Sequence, residues 1–219
     1  MITETNKLYC GDSLTLIKEL GVEPSLVIMS PPDQAETNMS FGEYTSFIHS
    51  VYNDAFDKLK DGGVLVSITT DRKHNGAIYL KHEEIINALK NKATLFNYKI
   101  WAKSLKTNLY ILNFCHMLFF CKGKKPLIKN NISEFYPDVW LLERDKIKNY
   151  PSKDSFPSEL VKRLVLTFTN TSDLIFDPFV GSGKTAKVAV DNDRKFIGFD
   201  SSQEFIDIAN KYIEDSLND

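Results

Sequence analysis

Leu174-Ile175-Phe176-Asp177-Pro178-Phe179-Val180-Gly181-Ser182-Gly183-Lys184-Thr185 is the stretch of sequence that decides the fold. An apolar run leads into its glycines, and residues that suit a helix follow them, so the pattern predicts a strand, a glycine turn and a helix. Glycines let backbone N–H groups come close to a ligand, and the first turn of a helix offers unpaired N–H donors. The stretch therefore predicts a ligand-binding turn at the end of a strand.

A second apolar strand, Phe196–Phe199, follows and ends on Asp200. Asp200 comes about 20 residues after the first glycine, which is the spacing of a dinucleotide-type fingerprint. A carboxylate at a strand end can accept hydrogen bonds from both hydroxyls of a ribose. The pattern therefore favours a cofactor that contains a ribose.

Two other interpretations of the glycine turn remain open. The turn could be purely structural, since one such motif is a weak signal. Gly183-Lys184-Thr185 also resembles the end of a phosphate-binding P-loop. That motif requires a glycine where Pro178 stands, and proline has no N–H to donate, so ribose binding ranks above the P-loop.

Upstream, apolar strands alternate with helical patterns. Leu26–Met29 is a continuous apolar run typical of a strand buried on both faces, and Ser30-Pro31-Pro32-Asp33 ends it. Ser40 and Glu43 have capping-box spacing and predict a helix start. Residues 69–75 are expected to form a polar loop, 83–92 a helix, and 96–101 and 115–121 strands. This alternation predicts a parallel α/β sheet with ligands at the carboxyl ends of its strands.

Length and composition agree with a globular chain. The 219 residues can form one domain, and the net charge is only −2. Three cysteines without metal-type spacing, together with four histidines that show no ligand spacing, predict no metal site. No signal peptide and no membrane span are predicted, so we expect a cytoplasmic protein, associated with the nucleoid when it binds DNA.

The distribution of charge is uneven. Between Ile85 and Ser133 every formally charged residue is a lysine, and acidic residues crowd the C-terminal end instead. Such a block can be a solvated face, but tyrosine and tryptophan are interleaved with it, which favours a surface that faces a polyanion. The candidate contacts to nucleic acid are Arg72, Lys73, Lys103, Lys106, Lys124 and Lys125.

The corner at Ser30-Pro31-Pro32-Asp33 has its own chemistry. Two prolines make a rigid turn that fixes one side-chain oxygen, Ser30 Oγ, and a neighbouring backbone carbonyl in direction. Two acceptors that face the same way suit a ligand with two N–H donors, such as an exocyclic amino group. A simple strand stop is the alternative, and the presence of the glycine turn makes it less favoured.

Together, Ser30-Pro31-Pro32 and Asp177-Pro178-Phe179-Val180-Gly181-Ser182-Gly183 resemble the amino-methylating DNA methyltransferases, which act on exocyclic base amino groups. The order, with the corner before the glycine turn, is similar to the circularly permuted β group. The resemblance implies a Rossmann-like S-adenosylmethionine-dependent methyltransferase fold, with a mostly parallel seven-stranded sheet and helices on both faces. It covers most of the single domain, residues 1–219, apart from 122–153, a short candidate recognition insert.

The resemblance also implies roles for residues. The catalytic corner would be Ser30, Pro31, Pro32 and Asp33, with Ser30 Oγ and the Pro31 carbonyl accepting hydrogen bonds from the target amino group. Asp200 would bind the ribose of S-adenosylmethionine and Asp12 its adenine amino group. The cofactor set implied is Asp12, Ser155, Phe156, Asp177, Pro178, Phe179, Gly181, Ser182, Gly183, Asp200 and Ser201.

Serine at the first corner position favours N4 of cytosine over N6 of adenine within this family. Asp33 departs from the family pattern, which has an aromatic residue there that stacks on the flipped base. Phe41 or Tyr44 could substitute for that ring, or the protein could be a weak or inactive nucleic-acid-binding member of the fold. An RNA or small-molecule methyltransferase is a further alternative.

The expected substrate is DNA, as a duplex with base flipping or as a single strand. Because the candidate insert is short, we expect a short recognition site, a single-stranded substrate or help from a second subunit. A homodimer and a restriction-modification partner are the partners considered, and no membrane is expected.

Overall fold

A computed structural model of the chain describes residues 1–74, 77–104, 112–145 and 156–217. Its helices are α1 (Ser13–Glu19), α2 (Phe41–Lys58), α3 (Lys81–Leu89), α4 (Ser158–Phe168), α5 (Lys184–Asp191) and α6 (Gln203–Leu217). Its strands are β1 (Lys7–Cys10), β2 (Leu26–Met29), β3 (Val64–Thr69), β4 (Arg72–His74), β5 (Ala77–Tyr79), β6 (Thr94–Ala102), β7 (Phe114–Cys121), β8 (Val139–Leu141), β9 (Leu174–Asp177) and β10 (Lys195–Asp200). Short 3-10 helices lie at Gln34–Glu36 and Ser133–Phe135. Within these ranges, no helix combines the length and the apolar character needed to cross a membrane.

The central sheet has the strand order β1-β10-β9-β2-β3-β7-β6-β8. Neighbouring strands are parallel except where β7 pairs antiparallel with β3 and β6. The expected mostly parallel α/β class is therefore confirmed. The described residues form eight strands in this sheet where we expected seven, because the short segment Val139–Leu141 pairs with the edge of β6.

Helices cover both faces of the sheet, as expected. Apolar side chains alternate along each strand, so that Leu26 and Ile28 of β2 pack on one side and Val27 and Met29 on the other. The first side is covered by α4, α5 and α6, and the second by α1, α2 and α3. Continuous apolar strands are buried on both faces for this reason.

Two local predictions had different outcomes. The capping box of α2 is confirmed: Ser40 Oγ accepts from the Glu43 N–H, and the Glu43 carboxylate accepts from the Ser40 N–H at 2.8 Å. The prediction of a polar loop over 69–75 was wrong, because Arg72–His74 forms a two-stranded ribbon with Ala77–Tyr79. The strand Arg72–His74 consists of charged or polar residues, so it has no apolar alternation by which a strand could be predicted.

The winding of the chain places a crevice between β9 and β2. From β9 the chain passes through α5 to β10 on one side, and from β2 it passes through α2 to β3 on the other. β2 and β9 are direct neighbours, with Val27 opposite Phe176. Ligands of open α/β sheets bind at the carboxyl ends of strands where the order reverses in this way. The glycine turn after β9 and the proline corner after β2 both stand at that point.

Candidate functional site

A cavity of about 640 Å³ opens at the carboxyl edge of the sheet. The ends of β1, β2, β3, β6, β9 and β10 surround it, together with the start of β7. Both sequence motifs reach it: Ser30 to Asp33 form one wall, and Asp177 and Phe179 to Ser182 form another. A volume of this size suits a small-molecule ligand.

The glycine turn is built by backbone conformations that favour glycine. Gly181 has φ +48° and Gly183 has φ +78°, both in the left-handed region. Gly183 precedes α5, and a Cβ added there would lie 2.7 Å from Cβ of Ala209 in α6. Ser13 Oγ donates to the Pro178 carbonyl at 2.5 Å, which ties α1 to the turn. The turn is thus fixed by packing from two helices.

Asp177 is buried at the base of the turn. Its carboxylate accepts from the Phe179 N–H at 3.0 Å. Burial raises the pKa of Asp177 to about 6, although hydrogen bonds from Thr185 and the Phe179 N–H favour its ionised form and oppose the rise. A carboxylate held in this way favours the approach of a cationic ligand group.

Two further carboxylates border the cavity at the ends of β1 and β10. Asp200 accepts from the Gly181 N–H at 3.0 Å and from the Ser202 N–H at 2.9 Å. Asp12 caps α1, and one of its oxygens accepts from both the N–H and the hydroxyl of Thr15, each at 2.9 Å. Each carboxylate oxygen has more than one acceptor direction, so both groups can still accept from a ligand.

The proline corner is held from behind by two buried side chains. Tyr44 Oη donates to the Pro32 carbonyl at 2.7 Å. Lys81 Nζ donates to the Pro31 carbonyl at 2.9 Å and to the Pro32 carbonyl at 3.2 Å. The Pro31 carbonyl, expected to accept from a target amino group, therefore already serves one donor and has one further acceptor direction.

Asp33 joins this corner to two cations. Lys81 Nζ lies 3.0 Å from one oxygen of its carboxylate, and Arg72 Nε donates to the other oxygen. Lys81 is only 3% exposed, while Arg72 is half exposed at the cavity wall. Burial lowers the pKa of Lys81, and the Asp33 charge opposes that effect. Asp33 is therefore the counterion of two cations.

The aromatic substitutes expected for Asp33 do not line the cavity. Tyr44 is completely buried beneath the corner. Phe41 packs edge-on against Tyr79, with 5.4 Å between ring centroids. Neither ring lines the cavity, so the structure does not support the alternative in which one of them replaces the missing aromatic.

The structure brings most of the predicted site residues to one cavity. Those that line it are Asp12, Ser30, Pro31, Pro32, Asp33, Arg72, Lys103, Phe156, Asp177, Phe179, Gly181, Ser182, Asp200 and Ser201. Pro178 and Gly183 lie within the turn but do not line the cavity, and Lys73, Lys124 and Lys125 stand away from it. Ser155 and Lys106 lie outside the described residues. Of the candidate insert 122–153, residues 139–141 form β8.

Sequence reasoning missed several residues around the cavity. Thr69 is the last residue of β3 and Thr70 follows it, Arg144 follows β8, and Lys184 begins α5. All four line the cavity wall. Their positions in the cavity wall depend on strand neighbours that are distant in the sequence. The only sequence signal for them was a polar residue at or after the end of a strand. Lys81 was missed as well, because its contact to the corner spans 50 residues.

Two histidines share one carboxylate beside the cavity, although their spacing gave no such signal. His82 Nδ1 lies 2.8 Å from Asp71 Oδ2, and His116 Nε2 lies 3.2 Å from the same oxygen. The rings stack with centroids 4.1 Å apart and planes only 17° from parallel. An ion bound in the plane of one ring would stand out of the plane of the other, so the cluster is better described as a carboxylate-bridged histidine pair than as a metal site.

Comparisons with known proteins agree with this geometry. A family model described as DNA methylase, N6_N4_Mtase, matches residues 25–211. The orphan methyltransferase M.BamHII of Bacillus amyloliquefaciens is 27% identical over 88% of this chain and 89% of its own length. The PvuII DNA methyltransferase (cytosine-N4-specific) has a similar structure, with a TM-score of 0.81, 21% identity, and coverage of 99% of this chain and 92% of that chain. TTHA0409 of Thermus thermophilus, a putative DNA modification methylase complexed with S-adenosyl-L-methionine, gives a TM-score of 0.74 and 23% identity over 95% and 93% of the two chains.

Proposed function

Because the chain belongs to the DNA methylase family, whose members use S-adenosylmethionine, we propose that it transfers a methyl group to N4 of cytosine in DNA. The observation that carries this proposal is the position of Ser30 and the glycine turn on two adjacent strands that face one cavity. An exocyclic base amino group and a methyl donor can be held next to each other only if both motifs face the same space.

The cavity fits the cofactor by its charge and its shape. S-adenosylmethionine carries a sulfonium and an ammonium group, and the wall carries the carboxylates of Asp12, Asp177 and Asp200. We assign Asp200 to the ribose and Asp12 to the adenine amino group. The positive-φ glycines leave space for the methionine end beside Phe156. When bound, the cofactor supplies an electrophilic methyl group.

Ser30 and the corner supply orientation. Ser30 Oγ accepts a hydrogen bond from the target amino group, which localises the nitrogen lone pair toward the methyl group. The Pro31 carbonyl accepts the second hydrogen bond through the direction that Lys81 leaves open. Preorganised acceptors of this kind lower the barrier because they need no rearrangement during the reaction.

The target base has to leave the duplex to reach Ser30. Unpairing and unstacking cost a few kcal/mol, and contacts in the pocket offset that cost. Lys103 at the rim is a candidate for phosphate contact, and Lys73, Lys124 and Lys125 are candidates on the outer surface. We propose that residues 122–153 carry the contacts that read the sequence and that the whole chain acts as one catalytic domain. A restriction partner and a homodimer are further proposals of the same kind.

The deciding experiment is incubation of the protein with labelled S-adenosylmethionine and unmethylated DNA, followed by mass spectrometry of the nucleosides. N4-methylcytosine is the expected product. N6-methyladenine would keep the family chemistry and overturn the choice of base. The absence of product on duplex DNA, single-stranded DNA and RNA, with the cofactor bound, would support a binding protein without activity.

Ser30→Ala tests the corner separately. We expect methyl transfer to fall at least about 100-fold, the typical cost of removing one preorganised hydrogen-bonding group. Cofactor affinity, measured by calorimetry, should stay unchanged because the hydroxyl faces the base. Turnover equal to that of the wild type would rule out the proposed role of Ser30.

A further inference from the structure

The side chain at position 33 raises a question that the family chemistry leaves open. The corner carries a carboxylate where a flat ring would be expected, and a carboxylate cannot stack on a base. Trp101, Phe156, Phe47, Phe179 and Phe205 are the aromatic residues of the cavity wall. Phe156 packs edge-on against Trp101 and Phe179 against Phe47, so these rings belong to other parts of the wall than the corner.

The flat group that the structure places at Asp33 is the guanidinium of Arg72. Arg72 Nε donates to Asp33 Oδ2, and both side chains line the cavity together with Ser30. The hydrogen bond from Nε holds the guanidinium beside the Asp33 carboxylate and restricts the directions that its plane can take. A guanidinium plane stacks on bases as aromatic rings do.

The Asp33 carboxylate is also held in place on the side that faces the protein interior. Lys81 Nζ holds Asp33 Oδ1 at 3.0 Å and the Pro31 carbonyl at 2.9 Å. Lys81 itself lies 5.8 Å from the centre of the Tyr44 ring, and Tyr44 Oη holds Pro32. Asp33, whose carboxylate positions Arg72, directly follows Pro31 and Pro32 in the chain and shares its contact to Lys81 with the Pro31 carbonyl. A change in the corner would move the guanidinium with it.

From this arrangement, which rests on the proposed function, we propose that Arg72 is the stacking residue for the flipped base and that Asp33 positions it. The Asp33 carboxylate, which Arg72 shares with Lys81, reduces the net positive charge beside Arg72, so the guanidinium can lie against a neutral base inside the cavity. The ligand of this subsite is the face of a nucleobase, and the backbone phosphate is excluded from it.

Three variants distinguish a role of the flat guanidinium face of Arg72 from a role of its positive charge. Arg72→Ala removes both, Arg72→Lys keeps the charge and removes the plane, and Lys73→Ala removes the neighbouring exposed cation, which stands away from the cavity. Asp33→Asn keeps the shape of the positioning side chain and removes its charge. Arg72 is half exposed, so its replacement should leave the fold intact, and thermal unfolding of each variant checks this.

The measurement is kcat/KM for labelled methyl transfer to unmethylated genomic DNA at low and at high salt. We expect Arg72→Ala and Arg72→Lys to lose about 10-fold or more at both salt concentrations, since loss of one base stack does not depend on counterion release. Asp33→Asn should lose less than either. Lys73→Ala should lose activity mainly at low salt, because a phosphate contact contributes through counterion release, which weakens as the salt concentration rises. Cofactor affinity should be unchanged in all four.

Several results would overturn the proposal. An Arg72→Lys variant as active as the wild type would show that charge alone matters, and a deficit that disappears at high salt would assign Arg72 to phosphate. Asp33→Asn equal to the wild type would remove the positioning role. If the wild type transfers no methyl group to any DNA, the proposed function fails, and this inference fails with it. If the wild type is active and the Arg72 variants match it, only this inference fails.

Discussion

Asp177 shows what a single side chain contributes to the site. Its burial raises the pKa to about 6 from the ordinary 3.8, because few groups around it replace the water that an ionised carboxylate needs. Between these two values the folded protein binds the proton more tightly than the unfolded chain does. The contribution of Asp177 to the free energy of unfolding of the unliganded protein therefore falls as the pH rises from about 4 to about 6 and is constant above that range.

Asp177→Asn should make the unliganded protein more stable at pH 7. The amide keeps an acceptor for the Phe179 N–H and removes the buried charge. A pKa difference of about 2 units corresponds to a gain on the order of 2–3 kcal/mol in the free energy of unfolding. Urea unfolding at pH 4 and pH 7 measures it, and the gain should be absent at the lower pH.

Asp71→Asn is the matched variant, and it should change the free energy of unfolding at pH 7 in the opposite direction. Burial of Asp71 would raise its pKa, but hydrogen bonds with His116 and His82 hold the pKa at about 2. Its contribution is present above pH 3.8 and is lost as the pH falls toward 2. The variant should therefore lose about 2 kcal/mol at pH 7 in the same urea experiment. Equal stability of the two variants at pH 7 would contradict at least one of the two pKa assignments.

At the scale of elements, the glycine turn and α6 constrain each other. Gly183 adopts φ +78°, and Ala209 leaves no space for a Cβ at that position. The glycine turn therefore packs directly against α6, and a side chain at position 183 would force the turn or α6 to move. The glycine at position 183 is therefore required both for the conformation of the turn and for the packing of α6 against it.

Gly183→Ala should cost about 2 kcal/mol or more in the free energy of unfolding, since left-handed backbone alone costs about 1–3 kcal/mol for a residue with a side chain. It should also weaken cofactor binding measured by calorimetry. Gly42→Ala is the control, because no atom lies within 4 Å of a Cβ added at that position in α2. That change should leave cofactor affinity unchanged and stabilise the protein by up to about 1 kcal/mol. Two variants of equal stability would refute the packing argument.

At the scale of the whole molecule, the cavity lies at the reversal of the sheet order, where β1, β10, β9, β2 and β3 all end. A ligand bound there contacts both halves of the sheet. S-adenosylmethionine at a hundredfold its Kd should therefore raise the free energy of unfolding by about 2.7 kcal/mol, as expected for a ligand of the folded state alone. Thermal unfolding at several concentrations measures the shift.

Ser30→Ala should show the same cofactor-dependent shift as the wild type, whereas Asp200→Asn should show a smaller one at equal concentration. The first change lies on the side of the base and the second on the proposed ribose contact. A full shift in Asp200→Asn would remove Asp200 from the cofactor site. No shift in the wild type would refute the assignment of the cavity.

The sequence predicted those parts of the molecule that depend on local pattern. The glycine turn, the proline corner and the α2 capping box could be predicted from adjacent residues. That the turn and the corner lie at the same edge of the sheet followed from the expected parallel order of the strands. The eighth strand, the 72–79 ribbon and the Lys81 contact could not, because each is decided by a partner chosen in three dimensions. Asp33 could be identified as a departure from the pattern, but its two cationic partners could not.

Trp101 allows binding in the cavity to be followed by intrinsic tryptophan fluorescence. The protein has two tryptophans, and Trp101 lines the cavity, with its indole N–H bonded to the Leu142 carbonyl at 2.8 Å. Trp140 stands away from the cavity wall, packed under the guanidinium of Arg163 at 5.1 Å from its ring centre. In a Trp140→Phe variant the remaining tryptophan fluorescence comes from Trp101 in the cavity wall alone. Quenching or a spectral shift on titration would then report the arrival of cofactor or base in real time, without any label attached.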